Sequence, residues 1–266
     1  TLSRPFAALP AFLANYSSSI MAPSSFDASG EAVAAIGTGP FKVESVEPPL
    51  KLSVVRHDGY WGDAPAIERA VYNASGRAET RALMAESGQA DLVFTLDTSG
   101  VARLQEVDAV SVKSVAIPRV LTLKLNSGHP FLKEPEARQA LSLAIDRQGI
   151  AQGILRSPDA AANQMFAPVL SAWHDPSLPV IARDLDKARS LLAGLGWSMG
   201  EGNVLVREGK PFRLALRTFP SRPELPLIAA ALQSQWKEIG GELEVSVGNS
   251  SSIPGGHQDG TLELAL

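Results

Sequence analysis

The hydrophobic period changes abruptly within the segment Arg119–Leu155, and this change constrains the fold more than any other feature of the chain. Residues 120–126 alternate branched apolar residues with Thr and Lys, which is typical of a strand with one buried face. After a Gly- and Pro-containing break, Ala and Leu recur at helical spacing over 135–144, where the initial proline suits a first helical turn. Asp146 then suits the N-cap of a second helix. The segment therefore predicts a strand followed by two helices.

The rest of the chain alternates strand patterns with helix patterns, which favours an α/β fold. Alternating apolar residues predict strands at 41–46, 50–56, 67–73, 90–94, 109–117, 203–207, 212–218, 242–247 and 261–266. Helical spacing predicts helices at 6–13, 79–86, 99–107, 184–196 and 223–239. Asp184 suits the N-cap of the helix at 184–196. We expect strands 203–207 and 212–218 to form a hairpin, and 248–260 to be a loop.

Composition excludes several classes of function. The 266 residues carry a net charge of −4, so the chain lacks the basic field that nucleic-acid binding needs. No apolar run approaches the roughly 20 residues of a membrane-spanning helix. The absence of cysteine removes disulfides, thiolate nucleophiles and Cys-based zinc sites. We therefore expect neither nucleic acid as a partner nor a membrane-spanning chain.

Catalytic motifs are also absent from the sequence. There is no G-x-S-x-G elbow, Walker loop or kinase signature, and no two histidines are spaced as a zinc pair. The glycines of Gly37-Thr38-Gly39-Pro40 lead into a predicted strand rather than a helix, so they indicate a turn and not a phosphate loop. We predict no catalytic residue and no cofactor. His257 is kept as a candidate metal ligand, with an exposed loop histidine as the alternative interpretation.

Three sequence strings carry a family resemblance. Residues 126–147 follow the pattern N-x(3)-P-F-x(3)-P-E-A-R-Q-A-L-S-L-A-I-D-R. Residues 37–41 are GTGPF, and residues 184–197 follow D-x-x-K-A-x-x-L-L-x-x-x-G-W. Together and in this order, the strings resemble the periplasmic solute-binding proteins of ABC transporters, in the peptide/nickel-binding family known as family 5.

The resemblance implies an α/β fold of the periplasmic-binding-protein type, with two lobes in the class II arrangement. Because family members are longer than this chain, we expect an internal fragment with only part of each lobe. Residues 1–35 would be a remnant of the outer part of lobe I, 36–118 a mixed α/β segment of lobe I, and 119–266 a C-terminally truncated segment of lobe II. The resemblance also implies a periplasmic protein whose signal peptide lies outside these residues.

The function implied by the resemblance is solute capture and not catalysis. Such a protein binds a small solute, most often a short peptide, in the cleft between its lobes and delivers it to an ABC permease in the inner membrane. A nickel or other metal chelate is the alternative ligand within the family. The alternative from another class is an α/β hydrolase-like enzyme, for which the sequence shows no nucleophile–base pair.

Two stretches are candidate ligand-binding sites. Arg222 precedes the last long predicted helix, in the kind of strand-to-helix loop that faces a cleft in an α/β lobe. Peptide-binding relatives have a similar Arg-Pro, whose guanidinium pairs with a ligand carboxylate; a solvated loop arginine is the alternative. The hydroxyl groups of Tyr16, Ser17, Ser18 and Ser19 match a stretch that approaches the ligand in relatives, with a solvated loop as the alternative. Nickel-binding relatives have an arginine in this stretch, and this chain does not.

Overall fold

The computed structural model describes residues 2–115 and 117–266, and it has a mixed α/β architecture. The chain divides into two compact units, Thr1–Ser75 and Gly76–Leu266. The expected assignment of 1–35, 36–118 and 119–266 to parts of two lobes stays a prediction.

The first unit is built on a three-stranded antiparallel sheet with strand order β1-β2-β3. Its regular elements are the helix α1 (Leu9–Leu13) and the strands β1 (Phe41–Glu47), β2 (Lys51–Arg56) and β3 (Arg69–Asn73). The three strands agree with the predicted ones to within two residues at each end. Helix α1 is shorter than predicted and has Pro10 in its first turn, where a proline costs no hydrogen bond.

The second unit contains all the remaining α-helices of the described residues. They are α2 (Ala78–Glu86), α3 (Thr98–Gln105), α4 (Pro135–Leu143), α5 (Arg147–Gly153), α6 (Leu185–Gly194), α7 (Glu224–Lys237) and α8 (Ser252–Gln258). The predicted caps are present: Asp146 accepts a hydrogen bond from the backbone N–H of Gly149 at 2.8 Å, and Asp184 accepts one from Lys187 at 2.9 Å. Each carboxylate satisfies an N–H that the helix itself leaves unpaired.

Two small sheets complete the second unit. Their strands are β4 (Lys124–Leu125), β5 (Ser198–Met199), β6 (Leu205–Arg207), β7 (Lys210–Pro211), β8 (Arg213–Thr218), β9 (Glu242–Val247) and β10 (Leu264–Ala265). The larger sheet has the order β4-β10-β8-β9, in which β8 is parallel to both β9 and β10. Helix α7 connects β8 to β9, as parallel neighbours require a crossover.

The core of the second unit lies between helices α4, α6 and α7 and the larger sheet. Trp236 of α7 is fully buried, and its indole N–H donates to the carbonyl oxygen of Leu141 at 3.1 Å. Phe131, Trp197 and Phe212 pack as an aromatic cluster with ring centroids 4.6–5.8 Å apart. These rings bury large apolar areas in preferred edge-on and offset geometries.

Strand predictions failed where no partner strand is available. The predicted strand 120–126 shortens to β4, because its partner β10 is itself two residues long. Leu121, Leu123 and Leu125 nevertheless remain half-buried against the core, as the alternation implies. Segment 90–94 is not a strand, and the exposed side chains of Leu92 and Phe94 give it no packed face.

The predicted strand 109–117 was also wrong for the described residues of that segment, since Ala116 lies outside them. Val115 is 78% exposed there, so the alternation of that segment has no buried face to stabilise it. The alternation alone does not supply the hydrogen-bonding partner that a strand needs.

The hairpin prediction holds only near its turn. Strand β6 pairs with the two-residue strand β7 across Glu208 and Gly209, whose φ angles are +53° and +74°. Two positive φ angles in sequence suit a tight two-residue hairpin turn. Beyond Phe212 the chain leaves β6 and enters the larger sheet as β8, where two parallel partners are available.

The predicted loop 248–260 was wrong, because α8 occupies Ser252–Gln258. This helix contains Pro254, Gly255 and Gly256, whose low helix propensity favours the prediction of a loop. Gly256 is buried, and a Cβ atom at that position would lie 3.1 Å from the Cβ of Leu262. The close approach explains a glycine inside this helix.

Candidate ligand-binding site

Arg222 lies in the connection between strand β8 and helix α7, as the sequence predicts. The backbone oxygen of Arg222 accepts a hydrogen bond from Leu225 at 3.1 Å, which helps to start the helix. The Arg222 side chain is half-buried, and among residues 2–115 and 117–266 its guanidinium has no hydrogen-bond or ion-pair partner. Its five N–H donors are therefore available to an anion.

A cavity of about 450 Å³ borders this connection, and we refer to it as the proline cavity. One wall is the start of α2, and the other contains Pro220 and Pro223 of the connection and Pro226 in the first turn of α7. The lining residues are Gly76, Arg77, Ala78, Glu79, Thr80, Leu83, Pro220, Pro223 and Pro226. Arg222 stands between two of these prolines in the chain. The volume lies within the range of about 300–1,000 Å³ that is typical of small-molecule sites.

The start of α2 adds a second polar feature to the proline cavity. Arg77 is the N-cap residue of α2, and its side chain accepts no hydrogen bond from the first turn. The N-terminal end of a helix carries a partial positive charge, which favours anions. Arg77 and Glu79 bring one charge of each sign to the lining. The cavity wall can thus contact both an anionic and a cationic group of one ligand.

The hydroxyl groups of the serine run make local hydrogen bonds. Ser17 donates to the side chain of Asn15 at 2.7 Å, Ser18 to the backbone oxygen of Phe12 at 3.3 Å, and Ser19 to that of Tyr16 at 2.7 Å. The side chain of Tyr16 is 90% exposed. Because this run belongs to the first unit and Arg222 to the second, the prediction that both contact one ligand stays a prediction.

The metal candidate His257 is exposed in the last turn of α8. Nearby Asp259 accepts hydrogen bonds from the hydroxyl of Thr261 at 2.7 Å and from its N–H at 2.9 Å. These bonds hold the pKa of Asp259 below its usual value of 3.8, since they stabilise the carboxylate. Within the described part of the chain, no three His, Asp or Glu side chains form a metal-binding group. The assignment of His257 stays a prediction.

The sequence predicts the loop position of Arg222, whose role in ligand binding stays a prediction, and it does not reveal the proline cavity near that loop. The spacing of Pro220, Pro223 and Pro226 is visible in the sequence, and it could have indicated a rigid wall. The opposite wall comes from the start of α2, which lies more than a hundred residues earlier in the chain. No local pattern connects two segments so far apart.

Comparison with known proteins places the chain in a family. The sequence model described as "Bacterial extracellular solute-binding proteins, family 5 Middle" matches residues 1–266. Among curated proteins, the nickel-binding periplasmic protein of Escherichia coli is 27% identical over 85% of this chain and 44% of its own length. The probable D,D-dipeptide-binding periplasmic protein DdpA of Escherichia coli is 31% identical over 90% of this chain and 45% of its own length. The chain spans less than half the length of these relatives.

Solved structures share the same fold. NikA from Staphylococcus aureus, in complex with Ni(L-His)2, has a TM-score of 0.82 at 23% identity and covers 99% of this chain and 53% of its own. AppA from Bacillus subtilis, in complex with a nonapeptide, has a TM-score of 0.77 at 22% identity and covers 86% of this chain and 46% of its own. The similarity confirms the predicted α/β fold of the periplasmic-binding-protein type, of which this chain contains part.

No helix in 2–115 or 117–266 combines the length and the apolar character needed to cross a membrane. The three sequence strings, the fold and the match over all 266 residues agree. The chain belongs to the bacterial extracellular solute-binding proteins of family 5.

Proposed function

We propose that this chain is part of the substrate-binding component of an ABC importer. It contributes to capturing a short peptide and delivering it to a permease in the inner membrane, and it acts in the periplasm without catalysing a reaction. The observation that carries the proposal is the family match over residues 1–266. The nickel-binding protein and DdpA, both named as periplasmic, support the location.

The connection between β8 and α7 supports a peptide as the solute. Arg222 offers an unpaired, half-buried guanidinium, and Pro220 and Pro223 on either side of it in the chain line the proline cavity. A guanidinium binds a carboxylate through two parallel hydrogen bonds, which suits the C-terminus of a peptide. On the lining itself, Glu79 offers an acceptor for a peptide ammonium group. DdpA, at 31% identity, is named as a probable D,D-dipeptide-binding protein.

A nickel chelate is the second candidate, and the nickel-binding protein of Escherichia coli, at 27% identity, favours it. The two candidates differ in what the chain must supply. A peptide needs complementary charges and hydrogen bonds, whereas a metal chelate needs a shaped site for the organic ligand around the ion. Titration with Ni(L-His)2 and with free L-histidine therefore tests the chelate, since both probes carry an α-carboxylate and only the chelate carries the metal.

The test is isothermal titration calorimetry of the chain with trialanine and with trialanine amide, which lacks the terminal carboxylate. We expect trialanine to bind and the amide to bind about 10-fold or more weakly, because a hydrogen-bonded charge is lost. Arg222→Gln should weaken trialanine binding by a similar factor and leave amide binding unchanged.

The matched control is Arg156→Gln, which removes an exposed arginine in the loop after α5. It should leave trialanine binding unchanged to within about twofold, since exposed charges contribute little. Equal affinity for the peptide and its amide would reject the role of Arg222. Binding of Ni(L-His)2 without any peptide binding would replace the peptide by the metal chelate.

A further inference from the structure

A second cavity of about 450 Å³ lies among helices α4, α5 and α7 and the extended segment 119–125. We refer to it as the α4–α5 cavity. Apolar side chains form most of its wall, among them Leu121, Leu123, Ile145, Ile150 and Trp236. No residue that lines it belongs to the proline cavity or to the serine run. The proposed solute site does not account for this cavity.

The charged side chains of the α4–α5 cavity all have the same sign. Arg119, Arg138 and Arg147 line it, and no Asp or Glu of the described chain does. None of the three forms an ion pair with a carboxylate in the part of the chain that the structure describes. Positive charge without a counterion in a mostly apolar wall is costly unless a partner is present.

Arg147 is half-buried, so its charge is partly removed from water. Its guanidinium donates to the backbone oxygen of Ser142 at 2.9 Å and to the Ser142 hydroxyl at 2.7 Å. Both acceptors are neutral, and they occupy two of the five N–H groups. Burial lowers the pKa of Arg147 below its ordinary value, because the charged form loses water. An anion beside this guanidinium would offset the loss.

Arg138 lies one helix earlier and is held in a similar way. Its guanidinium donates to the backbone oxygens of Leu132 at 2.7 Å and Lys133 at 2.8 Å, which are again neutral acceptors. These bonds fix the position of the cation before any ligand arrives. A preorganised cation loses little side-chain entropy on binding an anion.

We propose that the α4–α5 cavity binds an amphiphilic anion, a small carboxylate with an apolar body. The carboxylate lies against Arg147 and Arg138, and the hydrocarbon body packs on the leucine and isoleucine side chains of the wall. A fully polar anion would leave this wall wet, and a neutral hydrocarbon would leave the two guanidinium groups without a counterion. Only a ligand with both parts satisfies both sets of side chains.

The test compares decanoate with decanol, which has the same hydrocarbon chain and no charge. Calorimetric titration of the whole 266-residue chain should show decanoate binding about 10-fold or more tightly, since a charge-assisted hydrogen bond is involved. Arg147→Gln should remove this difference, because it should weaken the binding of decanoate and leave the binding of decanol unchanged. Lys237→Gln is the matched control: it removes an exposed positive charge from α7 outside the cavity, and should keep decanoate binding within about twofold.

Arg147→Gln could also disturb the contact with Ser142, so a second variant tests the cavity itself. Ala162→Trp places a bulky side chain at a half-buried lining position and leaves all three arginines in place. It should weaken the binding of both decanoate and decanol by about 10-fold or more, because both ligands need the same space. Equal affinities of decanoate and decanol for the unaltered chain, or decanoate binding that survives both Arg147→Gln and Ala162→Trp, would overturn the proposal. Absence of decanoate binding would overturn it as well.

Discussion

The two units of this chain differ in how much of their apolar surface is buried. Among the described residues of the first unit, Val54 is the one apolar side chain that falls within the buried core. The second unit buries Phe212, Leu214, Leu216 and Trp236 almost completely, in layers of helix and sheet. Both units contain strands with clear alternation, so alternation alone does not decide whether a core forms.

The difference follows from topology. The first unit is an antiparallel sheet of consecutive strands, and Val43, Val46, Val71 and Tyr72 on it are each at least 39% exposed. In the second unit, the parallel pair β8 and β9 requires the crossover helix α7, whose apolar face covers the sheet. We therefore expect the second unit to supply most of the stability of the chain by apolar burial.

The largest effect that would test this comparison comes from two tryptophans. Trp236→Ala should lower the free energy of unfolding of the second unit by about 3–5 kcal/mol, because it removes a fully buried ring. Trp61→Ala, in the first unit, should lower the free energy of unfolding by no more than about 1 kcal/mol. Its ring is 81% exposed, and its indole N–H donates one hydrogen bond to the backbone oxygen of Thr38. Urea unfolding followed by circular dichroism measures both, and equal losses would contradict the comparison.

A smaller effect should come from a helix cap in the second unit. Asp184→Ala removes the acceptor for the N–H of Lys187, and should destabilise α6 by about 1 kcal/mol. Asp184→Asn is the matched control, since its amide oxygen accepts the same hydrogen bond and should retain most of the stability. Thermal unfolding of the two variants measures the difference. If the asparagine variant were no more stable than the alanine variant, the cap would not be the cause.

The smallest effect concerns acid pH, where one carboxylate of each unit should behave alike although the cores of the two units differ. In the first unit, hydrogen bonds from the hydroxyl and N–H of Ser29 and from the N–H of Glu31 lower the pKa of Asp27 below 3.8. In the second unit, the hydroxyl and N–H of Ser177 lower that of Asp175 in the same way. Such bonds stabilise the folded chain fully above pH 3.8, and this contribution is lost as pH falls through the folded pKa.

Carboxyl titration by NMR should therefore place both groups below pH 3.8, and the Asp27→Asn variant should lose its share of the acid sensitivity. The two groups should behave alike, although the cores of their units differ. Each is an exposed carboxylate that accepts hydrogen bonds from residues two to four positions later in the chain. Titration of either group at or above pH 3.8 would show that the turn hydrogen bonds do not persist in solution.

Features that depend on neighbouring residues were predicted well from the sequence. The caps Asp146 and Asp184 lie where the spacing places them, because a cap needs only the next three residues. The strands at 90–94 and 109–117 failed because pairing needs a partner that the local sequence does not reveal. At the candidate site, the loop position of Arg222 was predicted and its role in binding stays a prediction. The proline cavity needs the distant start of α2, which the local sequence does not reveal.

The central claim is that this chain contributes to peptide capture, and native mass spectrometry tests it most directly. The chain is mixed with an equimolar set of di-, tri- and tetrapeptides and their C-terminal amides. The bound ligands are then released, and their masses are measured. The account predicts retention of peptides with a free carboxylate, and loss of that retention in Arg222→Gln. Equal retention of peptides and amides, or retention of neither at any concentration, would contradict it.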